Sequence, residues 1–386
     1  MKKNLLKPLS YLFFLSLSTS SLLSGNDCCE YPVFEDCCYS PDRFWINAEY
    51  LLWQIQDSPR TVPFVQNLDT GATVLGGRCI NNNVRSGGRF TAGYWLRDDR
   101  AFGGEASYFF LPSRTKRASV ASAPDGTPAL GTPFFNVTTG TEDFGLISEP
   151  GVFTGSAVLS VSNRLQGAVA EGLMPVYRGN CGLDISLVLG FRYVNFEETL
   201  RFNVNSPFVG NTDVYYTKEQ FHARNNFYGT EIGFDMDYEF GCFFLGLKGT
   251  VALGNVHKDL VISGALATNN FSATGTVETF PGGFFAQPTN IGSHSRNSFC
   301  AVPEVDFKIG YNITNCFSAY VGYTFIYLSN MIWATKQINP NINPSQSVNL
   351  TDVFPTTLVG EASPQSCLRA SSLWAQGLTV GVQFDF

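Results

Sequence analysis

The sequence predicts an all-β protein: a transmembrane antiparallel up-and-down β-barrel of ten strands, with twelve as the alternative. Three observations carry this expectation. The 386-residue chain is 44% hydrophobic and 14% aromatic but only 15% charged, whereas soluble domains carry about 25% charge. Beyond the first residues, no stretch reaches the roughly 18 continuous apolar residues that a spanning helix requires. Apolar and polar residues instead alternate, which places them on opposite faces of a strand, one for lipid and one for a lumen. A net charge of −7 leaves no basic footprint for nucleic acid.

The elements follow in order. Lys2, Lys3 and Lys7 precede "LSYLFFLSLSTSSLL", a short, serine-rich apolar run that reads as a signal peptide over 1–25 and not as an anchor. Cys28 stands too far beyond "LLSG" for lipid attachment. A cysteine-rich segment occupies 26–43, and the barrel 44–386. "FWINAEYLLW" (44–53) sets Phe44, Ile46, Ala48, Tyr50 and Leu52 against Trp45, Asn47 and Glu49. "RFTAGYWL" (89–96) and "GEASYFF" (104–110) repeat the pattern, with Arg89 and Glu105 on their polar faces. Further strands are expected at about 160–174, 183–200, 225–239, 243–261, 297–311 and 316–330. The last strand, "SLWAQGLTVGVQFDF", places Trp374, Leu378, Val380, Val382, Phe384 and Phe386 opposite Gly377, Thr379, Gly381, Gln383 and Asp385. Pro303 interrupts one strand and is expected to mark a bulge.

Connections alternate between short (97–102, 176–182, 240–242, 312–315) and long (55–88, 111–150, 201–222, 262–296, 331–370). Short periplasmic turns, long outer loops and an even strand number are the rules of bacterial barrels, and ten strands with both ends in the periplasm satisfy them. The stretch 151–175 has room for an extra hairpin, which is the source of the alternative twelve. Trp45, Trp95, Tyr311, Tyr327, Trp333, Trp374 and Phe386 are expected to form interfacial aromatic girdles.

Taken in sequence, "FWINAEYLLW", "NNVRSGGRFTAGYWLRDD", "GGEASYFFL", "LDISLVLGFRYVNFEETL", "NNFYGTEIGF", "VPEVDFKIGYNIT", "AYVGYTFIYLSN" and "SLWAQGLTVGVQFDF" resemble the β-barrel porin family of planctomycetes and chlamydia-related bacteria. The resemblance runs from Phe44 to Phe386, strongest on strands and weakest in long loops. It implies a barrel in the outer membrane of a Gram-negative-type bacterium, and it supplies no catalytic residues. The cysteine doublets Cys28, Cys29, Cys37 and Cys38 lie upstream of it.

The lumen is expected to be lined by Glu49, Arg89, Glu105, Asp184, Arg192, Glu231, Asp235, Asp237, Lys248, Glu304, Asp306, Lys308, Gln383 and Asp385. They would make either a hydrated channel or a salt-bridged plug, because ten to twelve strands fall between filled and open barrels. Acids outnumber bases, so an open pore would prefer cations. Export places the cysteines where disulfides persist. Cys28, Cys29, Cys37 and Cys38 in the leading segment and Cys181, Cys242 and Cys316 at short turns gather at the periplasmic rim. Adjacent cysteines pair poorly with each other, so the doublets would bond within the chain, to another copy, or to other cysteine-rich envelope proteins. Chlamydia-related bacteria strengthen their envelopes in this way, which the resemblance makes relevant. The doublets lack zinc-ligand spacing.

No cofactor is expected and no enzyme: His222, His257 and His294 belong to no metal pattern, and no nucleophile elbow is present. The chain is expected to be a passive diffusion porin for small solutes or ions. The alternative is a structural, disulfide-linked surface protein or adhesin without a conducting pore.

Overall fold

The tightest connection in the chain explains much of its architecture. Phe240 and Phe243 are joined through Gly241 and Cys242 alone, and Gly241 adopts φ 64°, where a side chain would be strained. The strands it joins run antiparallel over 26 paired positions, from Phe240↔Phe243 to Tyr215↔Thr268. A computed structural model describes residues 43–386, except 98, 180–181, 211–212, 271–274, 352, 355 and the side chain of Val214. The expected signal peptide, the cysteine-rich segment up to residue 42 with Cys28, Cys29, Cys37 and Cys38, and Cys181 lie outside the described residues.

In chain order the strands are Phe44–Ile55 (β1), Pro63–Asn67 (β2), Thr73–Gly76 (β3), Val84–Trp95 (β4), Gly103–Ala121 (β5), Leu130–Asn136 (β6), Thr141–Ser148 (β7) and Ser156–Arg178 (β8). They continue with Leu183–Pro207 (β9), Val214–Phe240 (β10), Phe243–Thr268 (β11), Glu278–Pro281 (β12), Gly292–Thr314 (β13), Phe317–Ile332 (β14), Asn341–Ile342 (β15) and Ala370–Asp385 (β16). The large sheet runs β10-β9-β8-β5-β4-β1-β16-β14-β13-β11, and β10 pairs with β11 to close it. Ten antiparallel strands therefore form a barrel, with β12 as an extra strand on β11. Closure leaves no strand edge exposed to lipid, which a bilayer demands. The ring has no place for an eleventh or twelfth spanning strand; 151–155 is a turn, and β8 follows it directly.

The alternation behaves as expected on the outer surface. Phe44, Ile46, Tyr50 and Leu52 of β1 are exposed, as are Tyr228, Ile232, Phe234 and Tyr238 of β10, Phe299, Val305, Phe307 and Ile309 of β13, and Leu378, Val380 and Phe384 of β16. This band has lipid as its partner.

Three expectations need correction. The 201–222 connection is mostly strand, since β9 and β10 run beyond the lipid band and leave only 208–213 between them. Their outward residues there are polar, including Glu197, Arg201, His222 and Arg224, so the ladder continues where lipid no longer selects apolar side chains. Pro303 makes no bulge. It sits opposite Val251 without a register shift, and pairing with β14 begins directly after it at Glu304↔Ile326. Bulges fall instead beside Pro112, between Leu111 and Arg114, and beside Pro175, between Pro175 and Tyr177. The third correction concerns the girdle: Trp45 and Trp333 are buried inside the barrel, and Trp95 packs on Trp45 at 5.3 Å between ring centroids. Cys300 of β13 is buried in the interior of the barrel.

The long connections are also ordered. β15, β6, β2 and β3 form a second sheet, with β7 paired to β6. It packs on the loop end of the barrel through Phe64, Phe134, Phe202, Phe221, Phe284 and Phe285.

Candidate functional site

The lumen is layered, and each layer follows from the inward residues of successive strands. β10 shows the order from the short-turn rim upward: Asp237, Asp235, Glu231, then Phe227, Asn225, Phe221 and Glu219. β9 matches it with Arg192, then Val194 and Phe196, then Glu198, then Leu200 and Phe202. Charge, hydrocarbon, polar atoms and hydrocarbon again are stacked along the axis.

The first full layer is an ion-pair network. Arg89 of β4 donates to Glu49 of β1, its neighbour across the ladder, and reaches across the lumen to Asp306 of β13 at 2.5 Å. Tyr320 donates its hydroxyl to the other Glu49 oxygen at 2.7 Å, and Thr324 donates to Asp306 at 3.0 Å. Arg192 forms a two-bond fork with Glu231, at 2.8 and 2.6 Å, and also pairs with Glu304. Glu304 lies 3.5 Å from Arg89 and so links the two arginines. Lys248 joins Glu105 at 3.1 Å and Glu171, and the Trp45 indole donates to Glu105 at 3.0 Å. Lys308 stands over the Tyr320 ring at 5.4 Å. What remains open among these groups is a cavity of about 50 Å³, space for one or two waters when a water's share of liquid is about 30 Å³.

Eight of the expected lumen residues line this cavity: Glu49, Arg89, Glu105, Arg192, Lys248, Glu304, Asp306 and Lys308. Glu231 closes it through Arg192, and Asp235 lies opposite Lys248 in the ladder. Asp184, Asp237, Gln383 and Asp385 are not part of it. Asp184 and Asp237 face each other across the β9–β10 ladder near the rim, and Gln383 donates to Asp385 at 2.9 Å. Glu171, Asn47, Thr91 and Tyr320 were missed. Glu171 shows the signal that would have found it, since it has the opposite parity to the exposed Met174 and Val176.

Directly above, the lumen is filled by side chains of nine of the ten barrel strands. Leu51, Trp53 and Ile55 meet Phe109, Leu111, Leu165, Val194, Phe196, Phe227, Val256, Val302, Ile326, Met331 and Trp333. Phe196 packs edge-on to Trp333 at 4.8 Å, and Trp53 lies 5.6 Å from Phe109. Arg89 sits 5.9 Å from the Trp53 ring, coupling the two layers.

The next layer is polar and almost fully satisfied. Glu198 accepts from Ser58 at 2.6 Å and from the backbone and hydroxyl of Thr335, both at 3.0 Å. Burial still holds its carboxyl above the ordinary range. Asn225 accepts from the Ile332 amide and donates to the Ile332 and Phe196 carbonyls. Arg85, Asn163 and Asn82 form a chain on the other side. Under the cap, one Glu219 oxygen accepts from the amides of Phe285 at 2.7 Å and Ala286 at 3.0 Å. Its other oxygen is buried without a hydrogen-bond partner, and burial pushes the carboxyl up to about 7 despite the two amides.

Among the cysteines, Cys242 sits at the β10–β11 turn and Cys316 at the β13–β14 turn, both at the short-turn end. Cys79 and Cys367 are exposed free thiols at the loop end, and Cys242 is also free.

No curated protein sequence matches this chain. Among solved structures, it is similar to the outer membrane protease OmpT from Escherichia coli, at 12% identity and TM-score 0.44, over 91% of this chain and 99% of that one. It is also similar to the CymD monoaromatic hydrocarbon channel, at 7% identity and TM-score 0.20, over 89% of each chain. A FadL homologue from Pseudomonas aeruginosa matches at 7% identity and TM-score 0.22, over 89% of this chain and 90% of that one. The family model described as "Putative beta barrel porin-7" matches residues 45–386. With ten closed strands, a lipid-facing band and that match across nearly the whole barrel, the chain belongs to this β-barrel porin family of the outer membrane.

Proposed function

We propose that this outer-membrane barrel is closed to ions in its resting form and serves as a structural surface protein through its ordered loop end. The plug carries this reading: Trp53, Phe196, Phe227 and Trp333 are each at most 1% exposed, at a level where nine strands contribute side chains. A passive diffusion pore needs a continuous hydrated path, and an apolar layer packed to interior density excludes water. The ion-pair layer below adds a second closure. The same lumen explains why acids and bases occur inside without requiring a permeant ion.

A non-catalytic role is supported by the separate engagement of the three histidines. His222 meets Thr199 at 2.8 Å, His257 meets Asn297 at 2.8 Å, and His294 meets the Asn290 carbonyl at 2.9 Å. The position of Cys242 and Cys316 at the short-turn rim supports a role in cross-links to another copy or to other envelope proteins, together with the leading cysteines.

The test is conductance of the heat-modifiable, folded barrel in a planar bilayer. The wild type should be silent, and Phe196→Ala/Trp333→Ala should give steps with cation preference, because acids outnumber bases in the layer below. Reproducible wild-type steps would overturn the closed reading in favour of a diffusion porin. Non-reducing gels of thiol-blocked membranes test the cross-links: a monomer band indifferent to reductant would remove that part.

A further inference from the structure

At the loop end, β3 and the residues after it lie against β5 and β8 and enclose a pocket of about 230 Å³. Its floor is hydrocarbon: Leu75, Leu159 and Val161 are buried, and Ile80 extends it. Its walls carry Arg78 and Lys116, with the exposed Cys79 thiol beside them.

A bulge creates this arrangement. Before Pro112, Phe109 and Leu111 point inward, so odd-numbered residues face the lumen. The register shift between Leu111 and Arg114 reverses that parity, and Lys116 then stands opposite the inward-facing Val161, with Ala118 opposite Leu159. Re-aiming side chains is what such bulges do. It places an ammonium above an apolar floor that an unbroken strand would have covered with Thr115 and Arg117.

The charges are unbalanced. Ion pairs of the described residues use Arg89, Arg97, Arg164, Arg192, Arg224, Lys248 and His257, and none involves Arg78, Lys116 or Arg117. Two further cations, Arg60 before β2 and Arg114 on β5, are engaged by carbonyls: Arg60 donates to Gly77 and Arg114 to Val84. In a chain of net charge −7, this concentration of unpaired positive charge around a greasy floor is a local exception. Like charges held together are costly, and an anion offsets that cost.

We propose that this pocket binds a small amphiphilic anion, a phosphate or carboxylate on a compact apolar body. Arg78 and Lys116 hold the head group, and Leu75, Leu159 and Val161 take the body. The volume equals about eight waters at about 30 Å³ each, which suits a single ring with its head group and not a whole lipid. The site lies outside the plugged lumen, so it holds whether or not the barrel conducts.

The experiment follows alkylation of Cys79, resolved by peptide mass spectrometry, in the full barrel reconstituted in phosphatidylcholine nanodiscs. The probe is phenyl phosphate, with inorganic phosphate, phenol and phenyltrimethylammonium as controls. Phenyl phosphate should slow Cys79 alkylation saturably while leaving Cys367 unchanged, and each control should need at least tenfold higher concentration. Arg78→Gln/Lys116→Gln, checked for heat-modifiable folding, should lose that protection at least tenfold. Competition by dihexanoyl phosphatidate would identify a lipid head group as the source of the anion, and indifference to it a free solute. Absence of protection, equal protection by inorganic phosphate, or protection undiminished in the double variant would overturn the proposal.

Discussion

The lumen is closed twice, once by charges around Arg89 and Arg192 and once by rings around Phe196 and Trp333. The two closures differ in what they contribute. A buried ion network gains little net stability, because desolvation of each charge offsets most of the attraction, but it punishes the loss of one partner severely. The apolar plug gains in proportion to the surface it removes from water and loses in proportion to the cavity a truncation leaves. Loss of a single partner is therefore the weak point of the lower layer, and loss of side-chain volume that of the upper layer.

The largest effect is expected of Arg192→Ala, which leaves Glu231 and Glu304 buried around a missing guanidinium. The barrel should lose about 4 kcal/mol in urea unfolding from lipid vesicles, and Arg192→Met/Glu231→Leu should recover most of it. If the double variant is as damaged as the single one, the charges stabilise directly and the distinction between the layers fails. Leu165→Ala in the plug should cost somewhat less, about 3 kcal/mol. Benzene should restore part of that loss by occupying the dry cavity, a rescue unavailable to Arg192→Ala.

The smallest effect belongs to the cap, where Glu219 combines both chemistries: a carboxyl among phenylalanines. Its folded pKa of about 7 exceeds the ordinary value of 4.5, so the folded state binds a proton that the unfolded state has released. Its contribution is fully present below about pH 4.5 and is lost as pH rises through about 7. An upper bound of about 3 kcal/mol follows from the shift, and about 2 kcal/mol between pH 5 and 8 is the expected loss. Hydrogen exchange of the Phe285 and Ala286 amides should rise over that window beyond the intrinsic dependence, and Glu219→Gln should remove the excess. An unchanged profile in the variant would show that the cap's pH response arises elsewhere.

The fold was legible because lipid imposes a simple rule on one face of each strand. Phe44, Ile46, Tyr50 and Leu52 announce an outward stripe without knowledge of any neighbour. The ion-pair residues were legible for the same reason, since charges opposite such a stripe must point inward. The plug was harder to read. Leu51, Trp53 and Ile55 share the inward parity with Glu49, so "YLLWQI" is apolar on both faces, and only the barrel shows that one of them meets lipid and the other meets Phe109. Trp45 and Trp333 were misplaced to the membrane interface because a tryptophan near a strand end has the same sequence signature whether it turns outward or inward.

The sequence by its periodicity showed that the chain crosses a membrane on antiparallel strands and which residues face lipid. It left ten or twelve strands open until the closed ring fixed ten. The crossing and the lipid face follow from local periodicity and from the backbone's need for partners in hydrocarbon. Only the tertiary structure decided that the lumen is filled, that Glu304 bridges two arginines from different strands, and that the bulge at Pro112 turns Lys116 toward a pocket. Each depends on shear and register, which set which distant side chains arrive at the same height, and no single strand's pattern contains them.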